Sequence, residues 1–457
     1  MSERAFNAVV QTPYVANSKS LSSQSFSNVF KKSKLSLAVG VCACLFGADT
    51  FAQSSQVNQK LDALEQEIAE LKKQIQEKEE DQEKKGVIIK KGTRFQYGGF
   101  IKADFIANDY SDGDRATASV GDDLLVPSTI PVGNDNAPDD ITFDSHVKHS
   151  RFWFKTTTDV GNGQTVSSYV ETDFNSGVDE RITNQASNGL RHAFLTYNYN
   201  KTDSIVVGQT WSTFFNVAAL PEAIDFVGPS AGTLFTRQPQ IRWTKGLGNG
   251  TSFMLALENP SSGLYDGGAG FDSNQFDSNT LPDIVARYNG KAGNLDYSLA
   301  VVGREIAYSQ GSQEEDEYGA AINFTGVYKF DGGDNIHFSL SQGTLGRYIA
   351  LAGFRDGAIE ADGDIDLIDV TGGFISYQHF WDKKWRSTFT YAYSTADNPD
   401  SVGGNVNKTL SNANVSLMYS PVPKLTFGVA YEYAERELES GVDGDLNRLQ
   451  FTSKWVF

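Results

Sequence analysis

Ten basic residues lie on the polar face of segments in which polar and apolar residues alternate. Of the residues in this sequence, they have the chemistry best suited to binding a ligand. The arginine guanidinium is a planar fork with two parallel donors that matches a carboxylate, and lysine adds a compact charge. A wall of such groups raises the local concentration of anions. The ten residues are Lys102, Arg151, Lys155, Arg242, Arg287, Arg304, Lys329, Arg386, Arg448 and Lys454.

β-strands must position these side chains, because polarity alternates around them with a period of two. Phe95 and Phe105 share one parity, whereas Lys102 and Asp104 share the other. Successive strand side chains point to opposite faces, so one face is apolar and the other polar. The pattern predicts sixteen strands, at 94–108, 146–160, 164–174, 190–200, 203–211, 237–245, 251–258, 283–289, 294–304, 318–330, 335–344, 370–381, 385–394, 408–419, 424–434 and 447–457.

The connections between these strands alternate in length, which indicates antiparallel pairing around a closed barrel. Seven short turns, such as GNG at 161–163, are built from turn-forming residues. Long loops separate them, and both ends of the strand array fall on the short-turn side, which is periplasmic in outer-membrane barrels. The long loops are 109–145, 175–189, 212–236, 259–282, 305–317, 345–369, 395–407 and 435–446.

Aromatic residues beside the short turns indicate that the apolar face meets lipid. Rings of one parity gathered at one end of the hairpins are typical of a membrane-interface girdle, whereas a soluble sandwich would bury them in a core. The sequence therefore predicts an all-β transmembrane protein, a 16-stranded antiparallel outer-membrane β-barrel with a water-filled lumen. The rings are Tyr199, Tyr288, Phe330, Trp381, Trp385 and Tyr419.

Two of the long loops are apolar for segments exposed to solvent. The loop at 212–236 contains Phe214, Phe215 and a run of small apolar residues, and the stretch at 124–133 reads LLVPSTIPVG. Such composition suits a loop that folds inward and narrows the pore, and it also suits contact with a neighbouring subunit. Both interpretations apply to each loop.

The first 52 residues have the features of a secretory signal peptide, with predicted cleavage after Ala52. The basic stretch KKSK precedes the apolar run at 35–52, and small residues occupy positions 50 and 52. Both cysteines, Cys42 and Cys44, lie in this segment, so the mature chain would contain no disulfide. A lipoprotein with Cys44 as the modified residue is the less well supported alternative, because VCA is a poor lipobox.

A coiled-coil helix is predicted at 57–85, within a periplasmic region at 53–91 that precedes the barrel domain at 92–457. This stretch contains no Gly, Pro or aromatic residue, and apolar residues recur at spacings of three and four. A lone helix of this length would be marginally stable in water, which favours self-association. The seam consists of Val57, Leu61, Leu64, Ile68, Leu71 and Ile75.

The chain ends in RLQFTSKWVF, where Phe451, Trp455 and Phe457 share one parity. The alternation fits an edge strand of a soluble sandwich as well as a lipid-facing strand, and the fifteen preceding segments favour the second. A terminal Phe after alternating apolar residues resembles the signal that barrel-insertion machinery reads in outer-membrane proteins. Ser453 departs from that pattern.

Enzymatic, nucleotide-dependent and nucleic-acid-binding functions have no support in the sequence. The five histidines form no His-Glu-x-x-His motif, and neither a Gly-x-Ser-x-Gly nor a phosphate-binding loop occurs. The net charge of −18 argues against nucleic acid as a partner. The sequence thus predicts no catalytic residue, no metal site and no cofactor. The predicted partners of the outer face of the barrel are outer-membrane lipid and lipopolysaccharide.

Several motifs in combination resemble the DcaP-like porins over nearly the whole mature chain. They are GGFIKADF, LLVPSTIPVG, SRFWFKT, LRHAF with VGQTWSTF, and SYQHFW with KWRSTFTYAYS. The resemblance implies a homotrimer of sixteen-stranded barrels in the outer membrane of a Gram-negative bacterium, passing small anions such as dicarboxylates by passive diffusion. Two alternatives remain: a general non-selective porin, or a structural barrel tethered to the cell wall through its coiled coil.

Overall fold

The computed structural model describes residues 63–64, 66–74, 87–90, 92–134, 140–179, 185–266, 278–310 and 312–457. The predicted signal peptide lies outside the described residues, as do Val57, Leu61 and Ile75 of the predicted seam. No helix among the described residues is long and apolar enough to cross a bilayer.

Twenty-one strands form one large sheet and one small one. In chain order they are β1 (Val87–Lys90), β2 (Thr93–Tyr110), β3 (Thr142–His146), β4 (Arg151–Gly161), β5 (Gln164–Asp179), β6 (Gln185–Asn198), β7 (Ser204–Trp211), β8 (Arg237–Gly248), β9 (Thr251–Glu258), β10 (Leu264–Asp266), β11 (Asp283–Ala292), β12 (Leu295–Gln310), β13 (Gln313–Lys329), β14 (Asn335–Gly343), β15 (Gly357–Ile359), β16 (Ile365–Leu367), β17 (Asp369–Phe380), β18 (Trp385–Asp397), β19 (Asn407–Val422), β20 (Leu425–Leu438) and β21 (Asp443–Val456).

The large sheet closes into a sixteen-stranded antiparallel barrel. β3 and β4 act as one interrupted barrel strand, because both pair with β2. β2 also pairs with β21, from Phe100 opposite Val456 to Tyr110 opposite Leu446, and this contact closes the barrel. β10, β15 and β16 form a separate three-stranded sheet within the long loops. Short helices occupy Val120–Asp123, Pro127–Thr129, Val217–Ala219 and Asp400–Val402.

All sixteen predicted segments correspond to barrel strands, but three of the predicted long loops are largely strand. Residues 305–310 of β12 pair with β13, up to Gln310 opposite Gln313. In the same way β5 and β6 pair as far as Asp179 opposite Gln185, and β20 and β21 as far as Glu437 opposite Asp443. Beyond the bilayer both faces of a hairpin meet water, so the apolar alternation that marks a spanning strand is lost there. The tight turn at the other end of β4 follows from Gly161, Asn162 and Gly163, which all adopt positive φ.

The outer wall is apolar and the inner wall polar, as the alternation predicts. On β2, Tyr97 and Phe105 are 59% and 44% exposed, whereas Lys102 and Asp104 are buried on the lumenal side. At the short-turn end the rings of Trp385 and Tyr419 stack with centroids 4.5 Å apart. Phe457 donates its backbone N–H to the Gly99 carbonyl, so the terminal residue completes the β2–β21 seam.

The N-terminal region is helical over the residues that are described, 63–64 and 66–74. Leu64, Ile68 and Leu71 of the predicted seam are all exposed. All described residues of this single helix are exposed, and the coiled coil and its register stay predictions.

Candidate functional site in the barrel lumen

The loop at 212–236, called loop 3 below, lies inside the barrel and contacts its wall at several places. Asn216 Nδ2 donates to Thr325 Oγ1 over 2.8 Å, and His337 Nδ1 donates to the Ala219 carbonyl over 3.0 Å. Further along, Ser394 Oγ donates to the Ala231 carbonyl over 2.5 Å. Of the two interpretations of this loop, the structure shows the inward fold.

Loop 3 fits in the lumen because small residues let it approach the wall closely. A Cβ on Gly232 would lie 1.9 Å from the Gly373 carbonyl oxygen of β17, so no larger residue fits without displacing backbone. Phe214 and Ala231 are fully buried in the apolar cluster that the loop forms with Tyr348, Ile349 and the wall. The loop is therefore a fixed part of the lumen.

The stretch at 124–130 of the first long loop also folds inward. Leu125 and Ile130 are buried against Tyr110, and Ala434 and Leu446 of the wall complete this cluster. The backbone N–H of Leu125 donates to the Asp225 carboxylate of loop 3 over 3.2 Å. The two inward segments therefore support each other.

Four of the predicted arginines, called the anchored arginines below, bind residues of the long loops. Arg386 makes a two-point contact with the Glu222 carboxylate, at 2.6 and 2.5 Å, and Arg304 Nη1 binds Asp356 of the loop at 345–369 over 2.5 Å. Arg287 donates to the Phe215 carbonyl over 3.0 Å, and Arg448 donates to the Gly121 carbonyl over 2.5 Å. At least one donor group of each arginine is therefore occupied by a loop.

The other predicted lysines and Arg242 occupy varied positions on the inner wall. Lys102 binds both oxygens of Asp104, at 2.8 and 2.9 Å, and also the Ile224 carbonyl of loop 3. Lys329 pairs with Asp296 at a site where both side chains are exposed. Lys155 is half-buried, and Arg242 is buried with its Nε unpaired among the described residues.

A row of alternating cations and aromatic rings, called the ladder below, runs along the inner wall between β8 and β21. The guanidinium carbon of each arginine, or the ammonium nitrogen of Lys454, lies 4.3 to 5.9 Å from the centroid of each neighbouring ring. These distances are within the range of cation–π interactions. Arg237 marks its long-loop end. In order the ladder consists of Arg237, Trp211, Arg191, Phe226, Arg151, Phe100 and Lys454.

The members of the ladder differ in charge compensation. Arg191 is buried and pairs with Glu171 and Asp173 over 2.8 and 2.7 Å. Arg151 and Arg237 are half-buried, and Arg237 has no ion pair among the described residues. Lys454 lies with its ammonium 4.3 Å from the ring centroid of Phe100. The ladder therefore presents uncompensated positive charge at its long-loop end.

At its other end the ladder reaches a lumenal cavity of about 510 Å³ beside two short turns. Glu222, Asp225 and Asp382 are the acidic groups of its lining. Backbone N–H groups of Lys384 and Trp385 lower the pKa of Asp382, which stays ionised. Basic residues of the lining outnumber these acidic residues by four. The seven basic residues are Lys102, Arg151, Lys383, Lys384, Arg386, Lys424 and Lys454.

Sequence reasoning missed Arg191, Arg237 and Phe226 as members of the lumenal site. Arg237 begins β8 with the parity opposite to that of Arg242, and Phe226 belongs to a loop, so alternation assigned neither residue to the inner wall. Arg191 lies next to a register shift in the pairing of β5 with β6, where parity no longer assigns a face. The signal available in the sequence was LRHAF, an arginine within an otherwise apolar motif.

Comparison with known proteins places the chain among outer-membrane channels. The model of the DcaP outer membrane protein family matches residues 52–457, which is most of the chain. A search of curated proteins found no match.

Solved structures share the barrel fold. The outer membrane channel DcaP of Acinetobacter baumannii is 23% identical, with a TM-score of 0.67 over 81% of this chain and 99% of that one. OmpT of Vibrio cholerae is 10% identical, with a TM-score of 0.52 over 81% and 100%. An anion-selective porin from Comamonas acidovorans is 11% identical, with a TM-score of 0.50 over 80% and 100%.

Proposed function

This chain belongs to the DcaP outer membrane protein family, and we propose that it passes small anionic solutes, dicarboxylates foremost, by passive diffusion. Its family and its structural neighbours are outer-membrane channels and porins rather than enzymes. The ladder, which ends in a cavity with an excess of basic side chains, is the observation that carries the proposal.

Alternating cations and rings suit a planar carboxylate that moves along the wall. The carboxylate accepts hydrogen bonds from guanidinium groups, and the rings between them keep water from fully solvating the charges. Arg151 and Lys454 share the ring of Phe100 and both line the cavity, so two positive charges lie close to the same ring there. A dianion carries twice the charge of a monoanion, so these charges attract it more strongly.

The affinity of such a site must stay low enough for release. Half-exposed charges bind weakly because water screens them, and we expect millimolar affinity, about 4 kcal/mol. Several weak binding positions, one after another along the pore, give a preference for anions without trapping them. The resemblance of the fold to an anion-selective porin points in the same direction.

Reversal potential across a planar bilayer under a salt gradient tests the proposal. The unmodified protein should favour anions, and the double variant Arg151→Ser with Lys454→Ser should lower the anion-to-cation permeability ratio on the order of tenfold. The matched control is Lys329→Ser, which removes an exposed lumenal-parity lysine that is paired with Asp296. Cation selectivity in the unmodified protein would refute the proposal.

Flux into liposomes separates the alternatives. A dicarboxylate channel should pass succinate faster than a neutral sugar of similar size, whereas a general porin should pass both at similar rates. A structural barrel should pass neither. The double variant should slow succinate and leave the sugar rate unchanged.

We propose further that three chains assemble through the helix at 57–85, after removal of residues 1–52 as a signal peptide. The exposed Leu64, Ile68 and Leu71 form a stripe that a neighbouring helix would cover. In this arrangement the coiled coil lies in the periplasm and the barrel meets phospholipid and lipopolysaccharide after insertion by the barrel-insertion machinery. Deletion of 57–85 should lower the melting temperature of the oligomer and leave single-channel conductance unchanged.

A further inference from the structure

Two histidines and an aspartate come together where the interrupted barrel strand changes from β3 to β4. His146 ends β3, His149 lies three residues later, and Asp104 faces both from β2. One ligand atom from each residue lies within 4.8 Å of the others, and the two imidazole rings meet edge to face with centroids 4.6 Å apart. This is the only group of three metal-ligating residues found among the described parts of the chain.

The hydrogen bond of His149 fixes its tautomer. Its Nδ1 lies 2.9 Å from Asp104 Oδ2, and an ionised carboxylate only accepts, so Nδ1 carries the proton. The lone pair is therefore on Nε2, which is buried and has no hydrogen-bond partner among the described residues. A carboxylate that orients a histidine in this way is typical of metal sites.

His146 has the same arrangement with the opposite ring nitrogen. Its Nε2 lies 3.0 Å from the Asp123 backbone carbonyl, which only accepts, so Nε2 is the protonated nitrogen. Its Nδ1 then carries the lone pair and is also buried without a partner within the described chain. Burial of an unpaired polar atom costs free energy unless a bound species satisfies it.

We propose that His146 Nδ1 and His149 Nε2 bind a divalent transition-metal ion of intermediate hardness, such as Zn²⁺, inside the lumen. Neutral imidazole is a preferred ligand for such ions, and water completes the coordination. Asp104 orients His149 through the Nδ1–H hydrogen bond. The sequence predicted no metal site, because two histidines three residues apart in HVKH are a weak signal without their tautomers and burial.

Nearby positive charges are compensated, so they do not exclude a cation. The Lys102 ammonium binds both oxygens of Asp104, and the Lys148 ammonium binds both oxygens of Asp123 at 2.8 Å. His149 lines the lumenal cavity, which gives an ion a route from bulk water.

A bound ion would act on the channel through the ladder. The His149 ring packs against the Phe226 ring with centroids 4.7 Å apart, and Phe226 lies between Arg151 and Arg191. An added divalent charge at this position would hold solute anions more tightly and slow their release. Zn²⁺ should therefore reduce anion current reversibly, and a chelator should restore it.

The test is calorimetric titration of Zn²⁺ into untagged full-length protein in detergent. We expect one site per chain that is lost, or weakened by more than about tenfold, in His146→Ala and in His149→Ala. The matched control His379→Ala removes a histidine that pairs with Asp334 at a short turn, and it should leave this site unchanged. Absence of binding by the unmodified protein, or equal binding by all four proteins, would overturn the proposal.

Each variant is first checked for compact migration without boiling, which reports an intact barrel. If an alanine variant fails this check, His146→Gln and His149→Gln replace it, because Gln keeps polarity and size while it removes the imidazole nitrogen. Asp104→Asn should weaken Zn²⁺ about tenfold rather than abolish binding, because the amide oxygen still accepts from His149 Nδ1. Zn²⁺ affinity that is unaffected by both Gln changes would equally reject the site.

Discussion

Basic residues in two regions of the inner wall have different surroundings. On the β11–β18 wall, Arg287, Arg304 and Arg386 are buried and donate to loop carbonyls and carboxylates. On the β21–β8 wall, where Arg448 and Arg191 are also bound to neighbours, Arg151 and Lys454 lie against ring faces beside a lumenal cavity. The alternation of the strands places both sets on the lumenal side of the sheet. Whether a residue binds a loop or can contact a solute depends on the groups that face it across the lumen.

The comparison shows why a count of lumenal arginines is a poor measure of anion selectivity. A carboxylate within hydrogen-bond distance cancels much of the field of an arginine, and the face of an aromatic ring cancels less of it.

Removal of an anchored arginine should destabilise the protein most. Arg304→Ala would leave Asp356 and Asp283 buried without their cation, at a cost of about 3–5 kcal/mol of unfolding free energy. Denaturant unfolding, followed by loss of compact migration, measures this cost. Stability equal to the unmodified protein would show that the contact does not hold the loop.

Removal of a ring from the ladder should have a moderate effect on stability and a specific effect on transport. Phe226→Leu keeps an apolar side chain but removes the faces that Arg151 and Arg191 share, at a cost of about 1–2 kcal/mol. Succinate flux should fall while the reversal potential stays near its original value, because no charge is removed. Unchanged succinate flux would argue against a role for the rings.

Conversion of an anchored arginine into a pore charge should increase anion selectivity. Glu222→Gln removes the carboxylate that neutralises Arg386 but keeps an acceptor oxygen, so loop 3 should stay in place at a cost of about 1 kcal/mol. The reversal potential should shift further toward anions. A shift toward cations would contradict the division between the walls.

The smallest effect is expected at an exposed ion pair. Lys329 and Asp296 are both close to half-exposed, so Lys329→Ala should change the unfolding free energy by less than about 1 kcal/mol. Denaturant unfolding in parallel with Arg304→Ala gives the direct comparison. A loss as large as that of Arg304→Ala would mean that burial does not explain the difference.

Period-two alternation predicted the barrel and its apolar outer face, and it could not predict the partners of the lumenal side chains. Phe105 and Lys102 lie on their predicted faces because that choice depends only on neighbours in the sequence. Arg304 meets Asp356 from a loop 52 residues later, and Arg448 meets Asn108 across 340 residues. Such contacts depend on where the loops fold, and no local pattern records this.

The path of loop 3 ties distant parts of the chain together. Its residues contact His337, Arg386 and Ser394, which lie more than a hundred residues later in the sequence. β21 pairs with β2 to close the barrel, and its Arg448 also donates to the Gly121 carbonyl of the first long loop. The last strand therefore both completes the wall and holds an inward segment, so a change on its lumenal face acts on the lining of the pore as well as on the wall.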